Sequence, residues 1–226
     1  MIRQIPPVDQ FKQQLRTALR QEAQQHRTAT FPKPAHIYTC GDQDQNVYFL
    51  ESGQVKLLML SPTGNECLLA ILTADDIFGE LCLSGLSERT ETAVAMTKTV
   101  VRVIPCARFF ARLRDDELLE GFVQYLAVRV ADQQTMIANL VTADSEQRLG
   151  KTLLQLARTL GKQDPRSIRI EQRISHEELA AMVGASRARV STYMHRFHEL
   201  GLIEFSRERF LIVKEHRLMD YLAQLG

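Results

Sequence analysis

Residues 175–201, SHEELAAMVGASRARVSTYMHRFHELG, contain the start and stop signals of two short helices separated by a tight turn. Ser175, with Glu178 three residues later, forms a capping box that predicts the start of the first helix. Gly184 can adopt the left-handed conformation that ends a helix, and Ser186 is a favourable N-cap for the second one. Two short helices joined by a turn with glycine are typical of the helix-turn-helix motif, whose second helix enters the major groove of DNA.

The second helix of this motif has an apolar face and a polar face. Val190, Met194 and Phe197 recur at helical spacing, so we expect them to pack on the first helix. On the polar face, arginine is suited to guanine and alanine to a thymine methyl group, although any one arginine could equally be a solvated surface charge. We expect base contacts from Arg187, Ala188, Ser191 and Thr192, and phosphate contacts from Ser186, Arg189 and Arg196. The predicted DNA-binding set is completed by Ser175 and Arg207.

Two β-like runs follow the motif. Residues 202–205 and 210–213 are largely apolar and flank the polar segment Ser206-Arg-Glu-Arg209. We expect a hairpin with a basic tip, which would make this part of the chain a winged helix-turn-helix. Arg207 or Arg209 at the tip could reach phosphates next to the major-groove contact.

Charge is unevenly distributed along the 226 residues, although the net charge is only +1. From residue 146 onward there are 14 Lys and Arg against 10 Asp and Glu, whereas residues 1–145 have 14 against 17. The positive balance of the C-terminal part favours a surface that binds phosphates. We therefore expect double-stranded DNA as a partner.

Composition argues against several other classes of protein. No stretch approaches the roughly 18 unbroken apolar residues of a membrane span. The N-terminus lacks the apolar core of a signal peptide, so we expect a cytoplasmic protein with no membrane partner. We also expect no metal, because no C-x-x-C pair and no zinc-ligand spacing to histidine accompanies the four cysteines, which we interpret as reduced thiols: Cys40, Cys67, Cys82 and Cys106.

Short apolar runs bounded by turn residues predict β-structure between about residues 31 and 105. The predicted strands cover residues 47–50, 55–60, 67–72 and 100–104. They are punctuated by turn signals at Gly41-Asp42, Ser52-Gly53, Pro62-Thr-Gly64 and Asp75-Asp76. Several short strands with regular turns predict an antiparallel unit that resembles a barrel or sandwich.

Helical periodicity appears on both sides of this β-region. Before it, an amphipathic helix is predicted by Phe11, Leu15 and Leu19. After it, from about Asp116, a longer helix carries an apolar stripe at alternating spacings of three and four: Val123, Leu126, Val130, Gln133, Ile137 and Leu140. Such a stripe is typical of a coiled coil, so we expect it to pack against a second copy, with packing on its own β-unit as the alternative. A further helix is predicted over residues 147–160, ending at Gly161 and a Gln-Asp-Pro turn.

These segments together resemble the cyclic-AMP receptor protein/FNR superfamily of bacterial transcription regulators over nearly the whole chain. The resemblance rests on Gly41-Asp42, Val47-Tyr-Phe-Leu50, Ser52-Gly-Gln-Val-Lys56, Asp76-Ile-Phe-Gly-Glu-Leu81, Glu88-Arg-Thr90, the long helix and residues 174–203. It implies an α+β fold with an N-terminal antiparallel β-roll of the cyclic-nucleotide-binding type, a long dimerisation helix and a C-terminal winged helix-turn-helix. The expected parts are an N-terminal helical segment (1–28), the β-roll effector domain (29–115), the dimerisation helix (116–145) and the DNA-binding domain (146–226).

In nucleotide-binding members of this superfamily, a Phe-Gly-Glu-Leu segment followed by Arg-Ser or Arg-Thr holds the cyclic phosphate. The resemblance implies that Gly79 offers a backbone N–H to the phosphate, while Glu80 accepts from the ribose 2′-hydroxyl. A guanidinium supplies paired donors to an anion, which suits the role implied for Arg89 with Thr90. The family's adenine-contacting pair aligns with Gln133-Gln134. The implied effector is cAMP, bound by Gly79, Glu80, Leu81, Cys82, Arg89, Thr90, Gln133 and Gln134.

The sequence departs from the family pattern at both sites. Glu91 follows Arg89-Thr90 where the family usually has alanine, and its carboxylate either repels a phosphate or points outward. In the DNA-binding motif, Ala188 and Thr192 stand where the family's prototype has other side chains, so the operator should differ. Effector-independent action, cyclic di-GMP and haem also fit the scaffold.

The resemblance further implies a homodimer that binds a pseudo-palindromic operator, with RNA polymerase as another partner. An alternative of a different class is a nucleotide-binding module that acts through protein contact alone. Glu80 and Arg89 could in principle serve acid–base chemistry, but they are not accompanied by a nucleophile, base and orienting group. We therefore do not expect an enzyme.

Overall fold

The computed structural model describes residues 7–21, 27–60, 66–115, 117–164 and 167–225. The chain forms two compact units, Met1–Gln133 and Gln134–Gly226, and the boundary between them falls within a long helix. Some sequence predictions lie partly or wholly outside the described residues: the turn at 62–64, the start of the long helix at Asp116, the Pro165 end of the Gln-Asp-Pro turn, and parts of the 1–28 segment.

The first unit is mainly β-structure with helices at both ends. In chain order it contains α1 (Pro7–Gln21), β1 (Arg27–Phe31), β2 (His36–Tyr38), β3 (Asn46–Ser52), β4 (Val55–Leu60), β5 (Glu66–Leu72), β6 (Ile77–Phe78), a 3₁₀ helix (Glu80–Ser84), β7 (Thr92–Ala95), β8 (Thr99–Pro105), α2 (Cys106–Asp115) and the first part of α3 (Leu119–Thr142).

Two antiparallel four-stranded sheets form the β-roll, with strand orders β1-β8-β3-β6 and β2-β7-β4-β5. The long pairing of β3 with β8 sets Val47 opposite Ile104 and Leu50 opposite Val101. One core cluster draws on strands of both sheets, because alternating residues of a strand point to the same face: Tyr38, Tyr48, Leu50, Val55, Leu57, Leu72, Phe78, Ala93 and Val101. The predicted antiparallel β-roll is therefore confirmed.

The amphipathic helix predicted from Phe11, Leu15 and Leu19 is α1, and all three side chains are at most 1% exposed. They belong to a second core cluster with Phe109, Leu113, Phe122 and Tyr125 of α2 and α3. An ion pair of 2.6 Å between Lys12 Nζ and Asp76 Oδ1 ties α1 to the turn before β6. The helix is thus an integral part of the first unit.

The long helix starts later than the sequence predicted. Residues before it form the separate helix α2, and α3 begins at Leu119 rather than near Asp116, which lies outside the described residues. Phe122 and Tyr125 face the core of the first unit, and Leu126 of the predicted apolar stripe also packs against that core. Other members of the stripe, Val123, Val130, Ile137 and Leu140, are 43–62% exposed in the single chain.

The second unit begins with the last part of α3. It contains α4 (Ser145–Leu160), β9 (Gly161–Asp164), β10 (Ser167–Ile170), α5 (His176–Val183), α6 (Arg187–Glu199), β11 (Ile203–Phe205), β12 (Leu211–Val213) and α7 (Glu215–Leu225). Its sheet is antiparallel in the order β11-β12-β10-β9. Ser145, predicted as the last residue of the dimerisation helix, is instead the first residue of α4, where Asp144 and Gln147 form a capping box.

One detail of the prediction for this unit is wrong. The turn expected after Gly161 is a strand, since Gly161–Asp164 pairs with β10 in the register Gly161 to Ile170. The apolar face expected on the preceding helix is confirmed: Leu149, Leu153, Leu156 and Leu160 are buried. Helix α7, which the sequence analysis did not predict, covers this core, and Gly150 lies directly against Leu222. The second unit therefore has a core of its own.

Candidate effector site and nucleic-acid interface

Gly79 and Arg89, two residues of the predicted phosphate-binding segment, are in direct contact. Gly79 has φ +76° at the start of the 3₁₀ helix, and its carbonyl accepts a 2.7 Å hydrogen bond from Arg89 Nη1. A Cβ atom at this position would lie 2.8 Å from Arg89 Nη1 and 2.9 Å from the Asn46 carbonyl oxygen. The backbone conformation and the close approach of the guanidinium both require glycine here.

The Arg89 guanidinium is bound by a carboxylate of the same chain. Its Nε and Nη2 donate to Asp44 Oδ2 at 3.2 and 2.7 Å, and Nη2 also donates to the Asn46 carbonyl. The guanidinium carbon lies 4.2 Å from the centre of the Tyr38 ring, a cation–π contact. Burial alone would raise the pKa of Asp44, but hydrogen bonds from Arg89 and Tyr48 hold it below its ordinary value. Asp44 is therefore an ionised partner of Arg89.

Glu80, expected to accept from a ribose hydroxyl, pairs with Arg129 of α3 through a 2.6 Å contact between Oε1 and Nη1. Its second oxygen, Oε2, is buried and has no hydrogen-bond partner among the described residues. Burial raises the pKa of Glu80, and the charge of Arg129 opposes that shift. Glu80 thus keeps one oxygen available for a donor.

The long helix reaches this site through a residue that the sequence analysis missed. Gln133 and Gln134, predicted to contact a base, are both exposed on α3. Arg129, one turn before Gln133, makes the contact instead, because Phe122 and Tyr125 orient that side of α3 toward the first unit. The sequence contains a signal for this contact, because Arg129 is an arginine within an otherwise apolar stretch of the helix, one turn from the expected position.

The Glu91 carboxylate points into the protein and not outward. The side chain is buried, and Oε1 accepts a 2.8 Å hydrogen bond from the Tyr38 hydroxyl. Burial raises the pKa of Tyr38, and the neighbouring Glu91 charge raises it further. The tyrosine therefore stays a hydrogen-bond donor, and Glu91 lies inside the site.

Four of the eight expected effector residues, Leu81, Cys82, Arg89 and Thr90, line a small cavity. Leu81 and Thr90 are exposed, whereas Cys82 is buried, and burial raises the pKa of its thiol to about 12. The cavity beside Arg89 has a volume of about 10 Å³, roughly the room that one water molecule needs. It is lined by Asp44, Leu81, Cys82, Leu86, Glu88, Arg89, Thr90 and Glu91. The donor types suit a nucleotide, whereas this particular cavity is much smaller than one.

The helix-turn-helix motif has the predicted capping. Ser175 accepts from the Glu178 N–H at 3.1 Å, and the Glu178 carboxylate accepts from the Ser175 N–H at 2.8 Å. Gly184 has φ +61°, and the Ser186 hydroxyl accepts from the Arg189 N–H at 3.3 Å. The hydroxyls of Ser175 and Ser186 thus fix where α5 and α6 begin.

Helix α6 buries one face and exposes the other. Val190, Met194 and Phe197 are at most 3% exposed, as the helical spacing predicted. The exposed side carries the residues expected to contact DNA: Arg187, Ala188, Arg189, Ser191 and Thr192. Thr192 Oγ1 donates to the Ala188 carbonyl at 3.1 Å, which leaves its methyl group and an oxygen lone pair free on that side.

Arg196 differs from the other arginines of α6. Its Nη1 lies 3.0 Å from Glu146 Oε2 of α4, and Tyr221 of α7 donates to the other oxygen of the same carboxylate. The Arg196 side chain is therefore tied to the body of the second unit, a role that differs from the expected phosphate contact. Its half-exposed guanidinium still has other N–H groups.

The predicted hairpin follows α6. Strands β11 and β12 pair with Ile203 opposite Val213 and Phe205 opposite Leu211. Arg207 and Arg209 are exposed at the tip, which is closed by a 2.9 Å hydrogen bond from the Ser206 N–H to the Phe210 carbonyl. The basic tip expected from the sequence is present.

An open groove of about 570 Å³ lies beside α6. Two expected base-contacting residues, Ser191 and Thr192, line it together with residues not predicted to take part: His176, Met194, His195, His198 and Phe205. His195 and His198 are three residues apart, and this spacing alone could have placed them on one side of the helix. The groove adds imidazole donors and an aromatic ring to the exposed side of the motif.

No group of three or more His, Cys, Asp or Glu side chains in the part of the chain that the structure describes is arranged to hold a metal ion. Among the same residues, no helix has the length and hydropathy needed to cross a membrane.

Comparisons with known proteins follow the division into two units. Residues 28–116 match the family model of the cyclic nucleotide-binding domain, and residues 147–221 match that of the Crp-like helix-turn-helix domain. The chain is 32% identical over 191 residues to a CRP-like cAMP-activated global transcriptional regulator of Mycobacterium tuberculosis, covering 83% of this chain and 84% of the relative. It is 30% identical over 186 residues to the global nitrogen regulator of a Synechocystis species, covering 81% and 83%. The solved structure of a CooA mutant from Carboxydothermus hydrogenoformans aligns with a TM-score of 0.75 and 27% identity over 88% of each chain.

Proposed function

Because the chain belongs to the cyclic-AMP receptor protein/FNR family of transcription regulators, we propose that it works as a homodimer whose two α6 helices read a dyad-symmetric operator. The observation that carries this proposal is the exposed side of α6, where Arg187, Ala188, Ser191 and Thr192 are free of the core. Helices of this kind place their N-terminal residues against base edges in the major groove.

Phosphate contacts complete the proposed interface. Arg189 is exposed next to the expected base contacts, and Arg207 and Arg209 are exposed at the tip of the β11–β12 hairpin. Contacts to phosphates position a protein on DNA without reading its sequence. The positive balance of residues 146–226 supports the same surface.

The stripe on α3 supports the homodimer. Val123, Val130, Ile137 and Leu140 lie at the a and d spacings of a coiled coil and are exposed in the single chain. A second copy of the same helix would bury them, with Gln133 in the middle of the stripe to specify the register. A symmetric dimer also presents two identical recognition helices, as a dyad-symmetric operator requires.

The effector is part of the proposal. A nucleotide in the β-roll is supported by the match to a cyclic nucleotide-binding domain and by the unpaired Oε2 of Glu80, which could accept from a ribose hydroxyl. Cyclic AMP is the first candidate, since a relative is named as cAMP-activated. Effector-independent action is the second, and a specific observation favours it: Arg89 already has an anionic partner in Asp44. RNA polymerase as a partner and action in the cytoplasm remain predictions.

The test of the DNA-binding proposal is selection from random double-stranded DNA by the full chain, followed by sequencing and gel-shift measurement at a stated salt concentration. We expect an enriched dyad-symmetric site whose half-sites are about 34 Å apart, roughly one turn of B-DNA. Enrichment of a single, non-repeated half-site, or of no sequence at all, would contradict it.

A further inference from the structure

We propose that Asp44 occupies the anion-binding position on Arg89 and thereby makes the β-roll select against anionic nucleotides. This inference deepens the effector part of the proposed function: it rests on the second candidate, effector-independent action, and argues against cAMP. Asp44 and Arg89 are 45 residues apart in the chain and meet at 2.7 Å between Oδ2 and Nη2. The carboxylate therefore stands where the family resemblance expects the cyclic phosphate.

The donors of Arg89 are almost fully used. A guanidinium has five N–H groups, and a phosphate is usually bound by two of them in parallel. Here Nε and Nη2 donate to Asp44, Nη2 also donates to Asn46, and Nη1 donates to the Gly79 carbonyl. A phosphate would find one N–H group free unless Asp44 leaves.

Asp44 is held firmly by other donors as well. The Tyr48 hydroxyl donates to Oδ2 at 2.7 Å, and the Asn46 backbone N–H donates to Oδ1 at 3.1 Å. An anionic ligand would have to displace a carboxylate that charge-assisted and neutral hydrogen bonds fix in place. The Asp44 side chain is only 16% exposed, so solvent does little to weaken these bonds.

The charges around the site oppose a further anion. Three buried or half-buried carboxylates, Asp44, Glu80 and Glu91, surround the two guanidinium groups of Arg89 and Arg129. The carboxyl groups of this cluster outnumber its guanidinium groups by three to two. A cyclic phosphate would add another negative charge in a poorly solvated place, where like charges repel more strongly than in water. A neutral ligand that donates a hydroxyl to Glu80 meets no such repulsion.

Calorimetric titration of the full chain with cAMP and with adenosine tests the role of Asp44. Asp44→Ala removes the charge and opens the position on Arg89, and Asp44→Asn removes the charge at constant size. Glu51→Gln is the matched control, because Glu51 pairs with the buried Arg102 of the same unit through a 2.8 Å hydrogen bond from Nε. We expect Asp44→Ala to bind cAMP at least tenfold more tightly than the wild type, a difference of about 1.4 kcal/mol. Adenosine, which lacks the phosphate, should show no such gain, and Glu51→Gln should behave as the wild type.

Three results would overturn the proposal: tight binding of cAMP by the wild type without a gain in either Asp44 variant, no binding by any folded Asp44 variant, or an equal gain in Glu51→Gln. Thermal melting of each variant checks that it is folded, and Asp44→Asn serves if Asp44→Ala is not. Adding Arg89→Ala to Asp44→Ala should abolish the gain. The nucleotide titration is carried out without DNA, so it tests the role of Asp44 separately. A failure to select an operator therefore counts against the proposed DNA-binding function alone.

Discussion

Two features of the structure require glycine at position 79, the positive φ and the close approach of Arg89, and experiment can separate them. Gly79 and Gly41 both have positive φ, +76° and +91°, but a Cβ on Gly79 would meet Arg89 and Asn46, whereas nothing lies within 4 Å of one on Gly41. Alanine at either position strains the backbone, and only Gly79→Ala must also push the guanidinium away. We expect Gly79→Ala to lower the free energy of unfolding by about 1–3 kcal/mol more than Gly41→Ala, in the range of overpacked sites. Urea unfolding measures the difference, and equal losses would show that backbone strain alone requires this glycine.

At the same scale, the sequence predicts which residues form the effector site more accurately than it predicts which residues they contact. The motif placed Gly79, Glu80 and Arg89 together, and the structure brings them together. Asp44 was missed because it lies in the loop between β2 and β3, where an aspartate usually serves the local backbone. This loop meets Arg89 through two backbone hydrogen bonds, from the Gly41 N–H to the Arg89 carbonyl and from the Arg89 N–H to the Asp42 carbonyl. Such contacts between distant parts of the chain are a tertiary property, which the local sequence does not signal.

At the scale of elements, α3 offers a matched pair of valines to test the dimer. Val130 lies on the apolar stripe and is 50% exposed, and Val128 lies on the opposite side of the helix and is 47% exposed. A glutamate buried in a dimer seam without a partner loses its hydration, whereas one on the outer side keeps it. We expect Val130→Glu to weaken dimerisation at least tenfold and Val128→Glu to leave it unchanged. Sedimentation equilibrium measures both, and equal behaviour of the two variants would place the interface elsewhere.

Several elements with a strong internal signal were predicted, whereas strands without such a signal were not. Strands β3, β4, β5 and β8 are long apolar runs, and α5 and α6 have their own caps, so the sequence predicts all of them. Strand β9 is Gly-Lys-Gln-Asp, which has no strand signal and is defined by its hydrogen bonds to β10. Strand β7 was not predicted for another reason. It is a short run, Thr92–Ala95, between polar segments, although all four of its residues are buried.

At the scale of the whole molecule, each unit has a self-contained core and its own polar site. The first unit surrounds a cluster in which carboxylates outnumber guanidinium groups, whereas the second exposes arginines on α6 and the hairpin tip. The same division appears in the charge balance of the two parts of the chain. The positive balance of residues 146–226 therefore favours the exposed arginines of the second unit as the surface that binds phosphates.

The proposed homodimer makes the spacing of the half-sites a property of the whole molecule. Two α6 helices fixed in one dimer reach successive major grooves on the same side of B-DNA, about 10–10.5 base pairs apart. Inserting about five base pairs between the half-sites turns one of them by roughly half a turn, so only one helix of the dimer can bind. We expect the insertion to lower affinity at least tenfold, while a substitution of the central base pairs at constant length has a smaller effect, limited to the energy of bending the DNA. Gel shifts at one salt concentration measure both operators, and unchanged affinity after the insertion would mean that each half-site is read by an independent monomer.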